Sequence, residues 1–446
     1  MRVIIAGAGE VGFHLAKLLT MEGHTLTVID KDPDQLRQIS NHLDLEVLNG
    51  SSTSIAMLTQ AKVQKADLVI GVTNSEDVNI TTCIIAKHLG AKRTVARIAN
   101  VEFLTSKEKL DLAKIGIDEL ISPASLAARE IKRLCKESAL TDFIDFDKGR
   151  LSLMGIKVEH DSLVAGKTIE ETAHLNEDRN FIPVAILRNN ETIIPQRNTR
   201  FLINDHAYFC ANPEGLNKVL EIFKKDRIEI KHIMILGGSS VGYHAARTLS
   251  KRYRVKLVEP SKERCLELAE QLPDTLIINA DGRRVDVLEE ENLSEMDAFI
   301  AVTGNSETNI ITSLVAKNHN VDKTIALVEN IDYIHLSQSI GVDTLINKKL
   351  IAANFIFRYI RQGEVLSLTS LHGADVEVLE FEVPPKAKII GKTINELKFP
   401  KNAIVGGVIR NGQGYIADSQ FVFDEKDHIV VLSKLQCIHK VESYFK

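Results

Sequence analysis

Three glycines near the amino terminus, Gly7, Gly9 and Gly12, stand at G-x-G-x-x-G spacing, with Ala8, Glu10 and Val11 as the residues between them. An apolar run at 3–6 leads into them and a helical pattern at 11–21 leads out; a second apolar run, 26–29, ends on an acid, Asp30. The bare glycine spacing recurs by chance in many chains, but a strand before it, a helix after it and an acid closing the next strand make it specific. Each residue then has a physical role. Gly7 turns the chain, Gly9 lets backbone approach a pyrophosphate, Gly12 lets helix pack on strand, and Asp30 accepts ribose hydroxyls. The helix N-terminus adds unpaired N–H donors and about half a positive charge. The chemistry expected is noncovalent capture of NAD(H) or an adenine nucleotide, because an acid at position 30 would repel a 2′-phosphate. Thr73 and Asn74, at the end of the run 68–72, and Arg97, in the run 95–98, would face the same crevice outside the strand ends. Arg97 reads either as a phosphate partner or as an ordinary solvated arginine. A ligand-free glycine turn is the bland alternative for the loop as a whole.

The same elements occur twice. Val3 to His14 returns as Ile233 to His244, and Gly71-Val72-Thr73-Asn74-Ser75-Glu76-Asp77 returns in that register as Ala301-Val302-Thr303-Gly304-Asn305-Ser306-Glu307, the match continuing through Asn79-Ile80 as Asn309-Ile310. Further on, Gly166-Lys167-Thr168-Ile169 recurs as Gly391-Lys392-Thr393-Ile394, and Asp205-His206 as Asp427-His428. Two large parts, each followed by a small part, are the expected organisation, with boundaries near 1–140, 141–226, 227–363 and 364–446. The second loop reads Gly237, Gly238, Ser239, Ser240, Val241, with Glu259 as its ribose-binding acid. Ser239 replaces the middle glycine and crowds the pyrophosphate, and Leu327 stands where the first copy has Arg97. Both a second nucleotide site and a purely structural copy remain open.

Positioning such loops requires a parallel sheet. In the first copy, runs at 3–6, 26–29, 46–48, 68–72, 95–98 and 119–121 are apolar on both faces and alternate with helical patterns, the mark of a doubly wound α/β domain. The small parts carry short strands such as 184–187 and 408–410, broken by Asn189-Asn190 and Asn411-Gly412, the latter a hairpin turn, and read as α+β. The segment 350–360 is apolar nearly all round and is expected to be buried against another subunit or domain, whereas 125–138 is amphipathic, with Ala127, Ile131 and Leu134 on one face.

Composition narrows the function classes. With 446 residues, 44% hydrophobic and 26% charged, the chain reads as an ordinary multidomain globular protein, and a net charge of -5 supplies no basic field for nucleic acid. Cys83, Cys135, Cys210, Cys265 and Cys437 are dispersed without metal-ligand spacing and read as reduced cytoplasmic thiols. The amino terminus reads as a strand entering a turn rather than a secretion signal, and no apolar stretch approaches the ~20 residues of a membrane span. No metal site and no direct insertion into a membrane are expected.

An NAD-dependent oxidoreductase would need a general acid or base presented by a substrate domain, and none stands out. Gly-Lys-Thr-Ile lacks the upstream glycine of a phosphate-binding loop, so Lys167 and Lys392 read as surface residues at a turn. His206 and His428 read as turn residues, and His14 and His244 as packing or surface residues. That oxidoreductase, with a substrate site between a large and a small domain, is the competing reading.

Two Rossmann halves, each trailed by a small β-containing domain, carry Ala-Gly-Ala-Gly-Glu-Val-Gly, Val-Thr-Asn, Ala-Val-Thr-Gly-Asn-Ser-Glu-Thr-Asn and Ile-Gly-Lys-Thr-Ile in this order. The whole chain thereby resembles the peripheral nucleotide-binding subunits of Trk-type potassium uptake systems, built from tandem regulator-of-potassium-conductance domains. The resemblance implies a non-enzymatic regulator that binds NAD(H), with ADP or ATP as further ligands. It also implies a cytoplasmic homotetrameric ring, peripheral to the inner membrane, that gates a membrane-embedded potassium transporter subunit.

Overall fold

The computed structural model describes residues 1–21, 23–100, 102–105, 111–136, 140–189, 191–225, 229–329, 341–361, 367–371 and 376–445. In the first large domain, six parallel strands lie in the order Glu46–Asn49, Thr25–Asp30, Arg2–Ala6, Leu68–Gly71, Arg93–Arg97, Glu119–Ile121. The central strand Arg2–Ala6 buries Val3, Ile4, Ile5 and Ala6 completely, as a strand covered by helices on both faces must. Strand order reverses on either side of it, which opens a crevice at the carboxyl ends of Arg2–Ala6 and Leu68–Gly71. The second large domain repeats this order with Thr275–Asn279, Arg254–Glu259, His232–Leu236, Ala298–Ala301, Lys323–Leu327 and Thr344–Ile346.

Each small domain is a five-stranded antiparallel sheet. The first runs Glu191–Ile193, Phe181–Arg188, His206–Ala211, Leu151–Lys157, Asp142–Phe146; the second runs Ser367–Ser370, Val376–Glu382, His428–Lys434, Ala403–Arg410, Gln413–Tyr415. Asn411 and Gly412 both take positive φ, 53° and 74°, and form the expected two-residue hairpin turn; Asn190 lies outside the described residues. The two sheets pack on each other through Leu153, Val184 and Cys210 on one side and Val378, Ile409 and Val430 on the other. Glycines permit that approach: a Cβ on Gly406 would lie 2.9 Å from the Cβ of Cys210, and one on Gly407 would lie 2.8 Å from Leu151.

The repeated small-domain motifs are structural. Asp205 and Asp427 are buried; each is gripped by two guanidinium nitrogens, of Arg188 at 2.8 and 2.7 Å and of Arg410 at 2.7 and 2.7 Å. Thr393 and Glu396 close a capping box, and Thr168 and Glu171 exchange the same two bonds, while Lys167 and Lys392 are exposed. Histidine is thus the lesser partner in Asp-His: the aspartate, which accepts a further bond from Leu202 N or Asp424 N, forms the turn.

The helices that follow the two large sheets are exchanged. Helix Pro123–Lys136 packs Ala127, Ile131 and Leu134 against Val241, Ala245 and Leu249 of helix Ser240–Leu249 in the other large domain. Reciprocally, helix Lys348–Arg361 lies on helix Glu10–Met21, with Ile356, Phe357 and Ile360 in one core with Val11, Leu15 and Leu19. The apolar segment 350–360 is therefore covered within the chain, and its burial is no argument for a second subunit. Ser138, and the expected boundaries at 226–227 and 363–364, lie outside the described residues.

Candidate functional site

The first glycine loop is built by close approach. Gly7 has φ +119°, and a Cβ there would meet Thr73 N at 2.8 Å; a Cβ on Gly12 would lie 1.9 Å from Gly7 O. No side chain fits at either position, which brings helix Glu10–Met21 onto the strand end. Gly9 differs, because a Cβ there would meet nothing nearer than Gln35 Oε1 at 3.8 Å. Its backbone faces open space at a helix N-terminus, where an anion can approach the unpaired N–H groups.

Asp30 is wired to this loop. Its Oδ2 accepts from Ala8 N at 2.6 Å and its Oδ1 from Asp32 N at 2.9 Å, while Asp32 caps helix Pro33–His42. Two N–H bonds fix the carboxylate plane at the end of the second strand and leave lone pairs for a ribose diol. Glu10 is exposed, its carboxylate 2.5 Å from Lys349 Nζ, and Val11 is buried under the loop.

Thr73, Asn74 and Arg97 form a second cluster. Asn79 holds the two strand ends together: its Oδ1 accepts from Thr73 N at 2.8 Å and Thr73 Oγ1 at 2.7 Å, and its amide donates to Thr73 O and Arg97 O. Asn309 repeats the pattern with Thr303 and Leu327. Arg97 Nη1 makes a long 3.5 Å contact with Asn74 Oδ1, and burial lowers the guanidinium pKa. Thr73, Asn74 and Arg97 line a cavity of about 210 Å³ whose opposite wall is Ser239, Ser240 and Val241 of the second loop. The expected site residues thus divide between the loop with Asp30 and an interdomain cleft. Asn79 and Asn309 sit inside the repeated segments but carry no motif of their own.

The second loop keeps the same frame but carries a serine side chain at its middle position. Gly237 has φ +108°, a Cβ on Gly242 would lie 2.0 Å from Gly237 O, and Glu259 accepts from Gly238 N at 2.7 Å and Ser261 N at 2.9 Å. Ser239, however, donates to Val302 O at 2.6 Å and accepts from Gly242 N at 3.3 Å, so it caps the helix with its own hydroxyl. One helix-start N–H, that of Gly242, is thereby capped, and Arg264 Nε lies on Gly238 O at 2.9 Å.

The remaining candidates are placed apart from this chemistry. Burial, reinforced by Lys17, pulls the His14 pKa to about 4, and burial also lowers that of His244. A larger apolar cavity, about 430 Å³, lies in the first small domain between Phe181, Phe201, Phe209 and Phe223, with Asp418 of the second small domain paired to Arg179 at its rim. Among the described residues, no His, Cys, Asp or Glu cluster has metal-site geometry, and no helix is long and apolar enough to cross a membrane.

The TrkA-N domain model matches residues 3–123 and 233–348, and the TrkA-C domain model matches 153–224 and 378–446. The Trk system potassium uptake protein TrkA of Haemophilus influenzae is 31% identical over 452 aligned residues, which cover 100% of this chain and 99% of the relative. The TrkA homolog 2 of Methanosarcina mazei is 30% identical over 459, covering 100% of both. The chain belongs to the TrkA family. Among solved structures, the GsuK RCK domain matches with a TM-score of 0.60 and 16% identity over 100% of this chain and 94% of that one. The GsuK channel bound to NAD matches at 0.61 and 17% over 100% and 78%. These likenesses establish the fold: paired Rossmann-type domains, each followed by a small antiparallel domain, shared with regulator-of-potassium-conductance modules.

Proposed function

We propose that this TrkA family member is a non-enzymatic nucleotide sensor that binds NAD(H), and also ADP or ATP, at its first glycine loop and gates a membrane-embedded potassium transporter. The observation that carries this reading is the contrast at the middle loop position: Gly9 is open above a helix N-terminus and beside a fixed Asp30, whereas Ser239 fills the corresponding place. The ligand would lie across Gly7, Ala8, Gly9, Glu10 and Val11 with its ribose on Asp30, and only a part of it reaching past the loop into the interdomain cleft would meet Thr73, Asn74 and Arg97. Gly237 to Val241 and Glu259 would serve as a structural copy. The protein would act as a homotetrameric ring in the cytoplasm, held at the inner membrane by its transporter, with functional domains at 1–140, 141–226, 227–363 and 364–446. A nucleotide shifts conformation only by binding one state more tightly; here the states would differ in the angle between the large domains. The names of the TrkA relatives support the transport role, and the NAD-bound GsuK channel supports the choice of ligand.

The test is rubidium flux through proteoliposomes holding a Trk-type membrane subunit, with this chain added in the presence of NADH, ADP or ATP. Nucleotide-dependent flux that disappears in Gly9→Ser is expected. Flux indifferent to every nucleotide, or catalytic oxidation of NADH in the presence of an added carbonyl substrate, would overturn the proposal.

A further inference from the structure

Lys348 and Lys349 open helix Lys348–Arg361, where two cations oppose the positive end of the helix dipole. Their placement is therefore not explained by helix stability. Both are neutralised from outside the helix: Lys348 by Glu329 at 2.9 Å, and Lys349 by Glu329 at 3.3 Å and by Glu10 at 2.5 Å. Glu10 is the first residue of the helix that follows Gly9, so the lysine crosses from the second half of the chain to the mouth of the first loop. The duplication supplies a control. In the second loop, Ser240 stands where Glu10 stands in the first, and the exchanged helix beside it opens with Pro123 and Ala124, which carry no charge. Lys349 reaches the helix start of the first loop, whereas its neighbour Lys348 lines the cleft that Ser239, Ser240 and Val241 of the second loop share.

We propose that Lys349 is a phosphate-reading residue of the first nucleotide site, held away from the phosphates by Glu10 until a nucleotide arrives. This rests on the nucleotide-sensor reading. A phosphate seated on the N–H groups of Gly9 to Val11 brings negative charge beside Glu10 and competes with it for Lys349. Lys349 lies at the start of a helix that packs on both helix Glu10–Met21 and the other exchanged helix, Pro123–Lys136. Its transfer from carboxylate to phosphate therefore acts on the junction between the two large domains. The attraction grows with the charge the ligand presents, so this site ranks ligands by phosphate charge as well as by their adenosine.

The test is calorimetric titration of the full chain, and of Lys349→Gln and Glu10→Gln, with NADH, ADP and ATP at low and high salt. Lys349→Gln is expected to weaken ATP about tenfold and NADH about twofold at low salt, with the difference shrinking at high salt. Glu10→Gln is expected to tighten ATP, a gain that simple damage to the loop would not produce. Equal weakening of all three ligands by Lys349→Gln, or weaker ATP binding in Glu10→Gln, overturns the inference while leaving the nucleotide site intact. A wild-type chain that binds none of the three overturns the sensor reading and this inference with it.

Discussion

A serine hydroxyl offers one donor and two acceptor lone pairs, and at Ser239 the donor goes to Val302 O and one lone pair to Gly242 N. Gly9 has no hydroxyl, so the corresponding N–H, that of Gly12, receives no cap from the middle loop position. Exchanging the two residues should exchange the two behaviours. Gly9→Ser is expected to abolish the nucleotide-induced rise in melting temperature while leaving the unliganded melting temperature nearly unchanged, because a Cβ there meets no atom closer than 3.8 Å. Ser239→Gly loses a helix cap, which costs a few tenths of a kcal/mol, and should create a second binding event. Thermal-shift titrations with NADH distinguish these outcomes; a Gly9→Ser protein that still responds would locate the ligand elsewhere. His14 makes a separate prediction. Its pKa is about 4 in the fold against the ordinary histidine value of 6.5, so the unfolded chain takes up a proton between these values that the folded chain refuses. Its stabilising contribution is complete above about pH 6.5 and declines as pH falls towards 4, by about 2 kcal/mol at pH 5. Replacing His14 by Gln should flatten the acid side of the melting-temperature profile over that window; an unchanged slope would contradict the assignment.

Among the elements, the exchanged helices bear most of the packing between the two halves. Ile356 is fully buried against the first large domain, and Ile356→Ala should cost about 2–5 kcal/mol through lost burial and a residual cavity. Chemical unfolding followed at the first domain should register the loss although the substitution lies in the second half. A transition confined to the second half would argue against the exchange. These elements also mark what the sequence could reveal. Strands, their parallel order and the glycine loop were legible because burial on both faces writes continuous apolar runs, and because Gly7 and Gly12 tolerate no Cβ. The apolar character of 350–360 was legible too, but its partner was not: periodicity says that a face is buried, never against what. Asn79 was hidden because a side-chain amide joining two strand ends has no spacing signature, although its repetition as Asn309 was available. Glu10 and Lys349 could not be paired from sequence, since only the fold brings residues from opposite halves to one loop mouth.

For the molecule as a whole, the duplication does more than double a domain. Each half completes the other: residues 1–225 alone would expose the Ala127, Ile131 and Leu134 face and leave helix Glu10–Met21 without its cover. That fragment should self-associate, each copy offering its Pro123–Lys136 helix to the other, and light scattering after gel filtration should report a dimer or larger species. A stable monomer would mean that the exchange is dispensable. The same asymmetry between similar halves sets the expected stoichiometry of ligand. The most direct test of a single first-loop site is the number of NADH molecules bound per full chain by titration calorimetry, in the wild type and in Asp30→Ala. One per chain, lost on substitution, is the predicted result; two per chain, or binding that survives Asp30→Ala, would contradict a site built on the first loop.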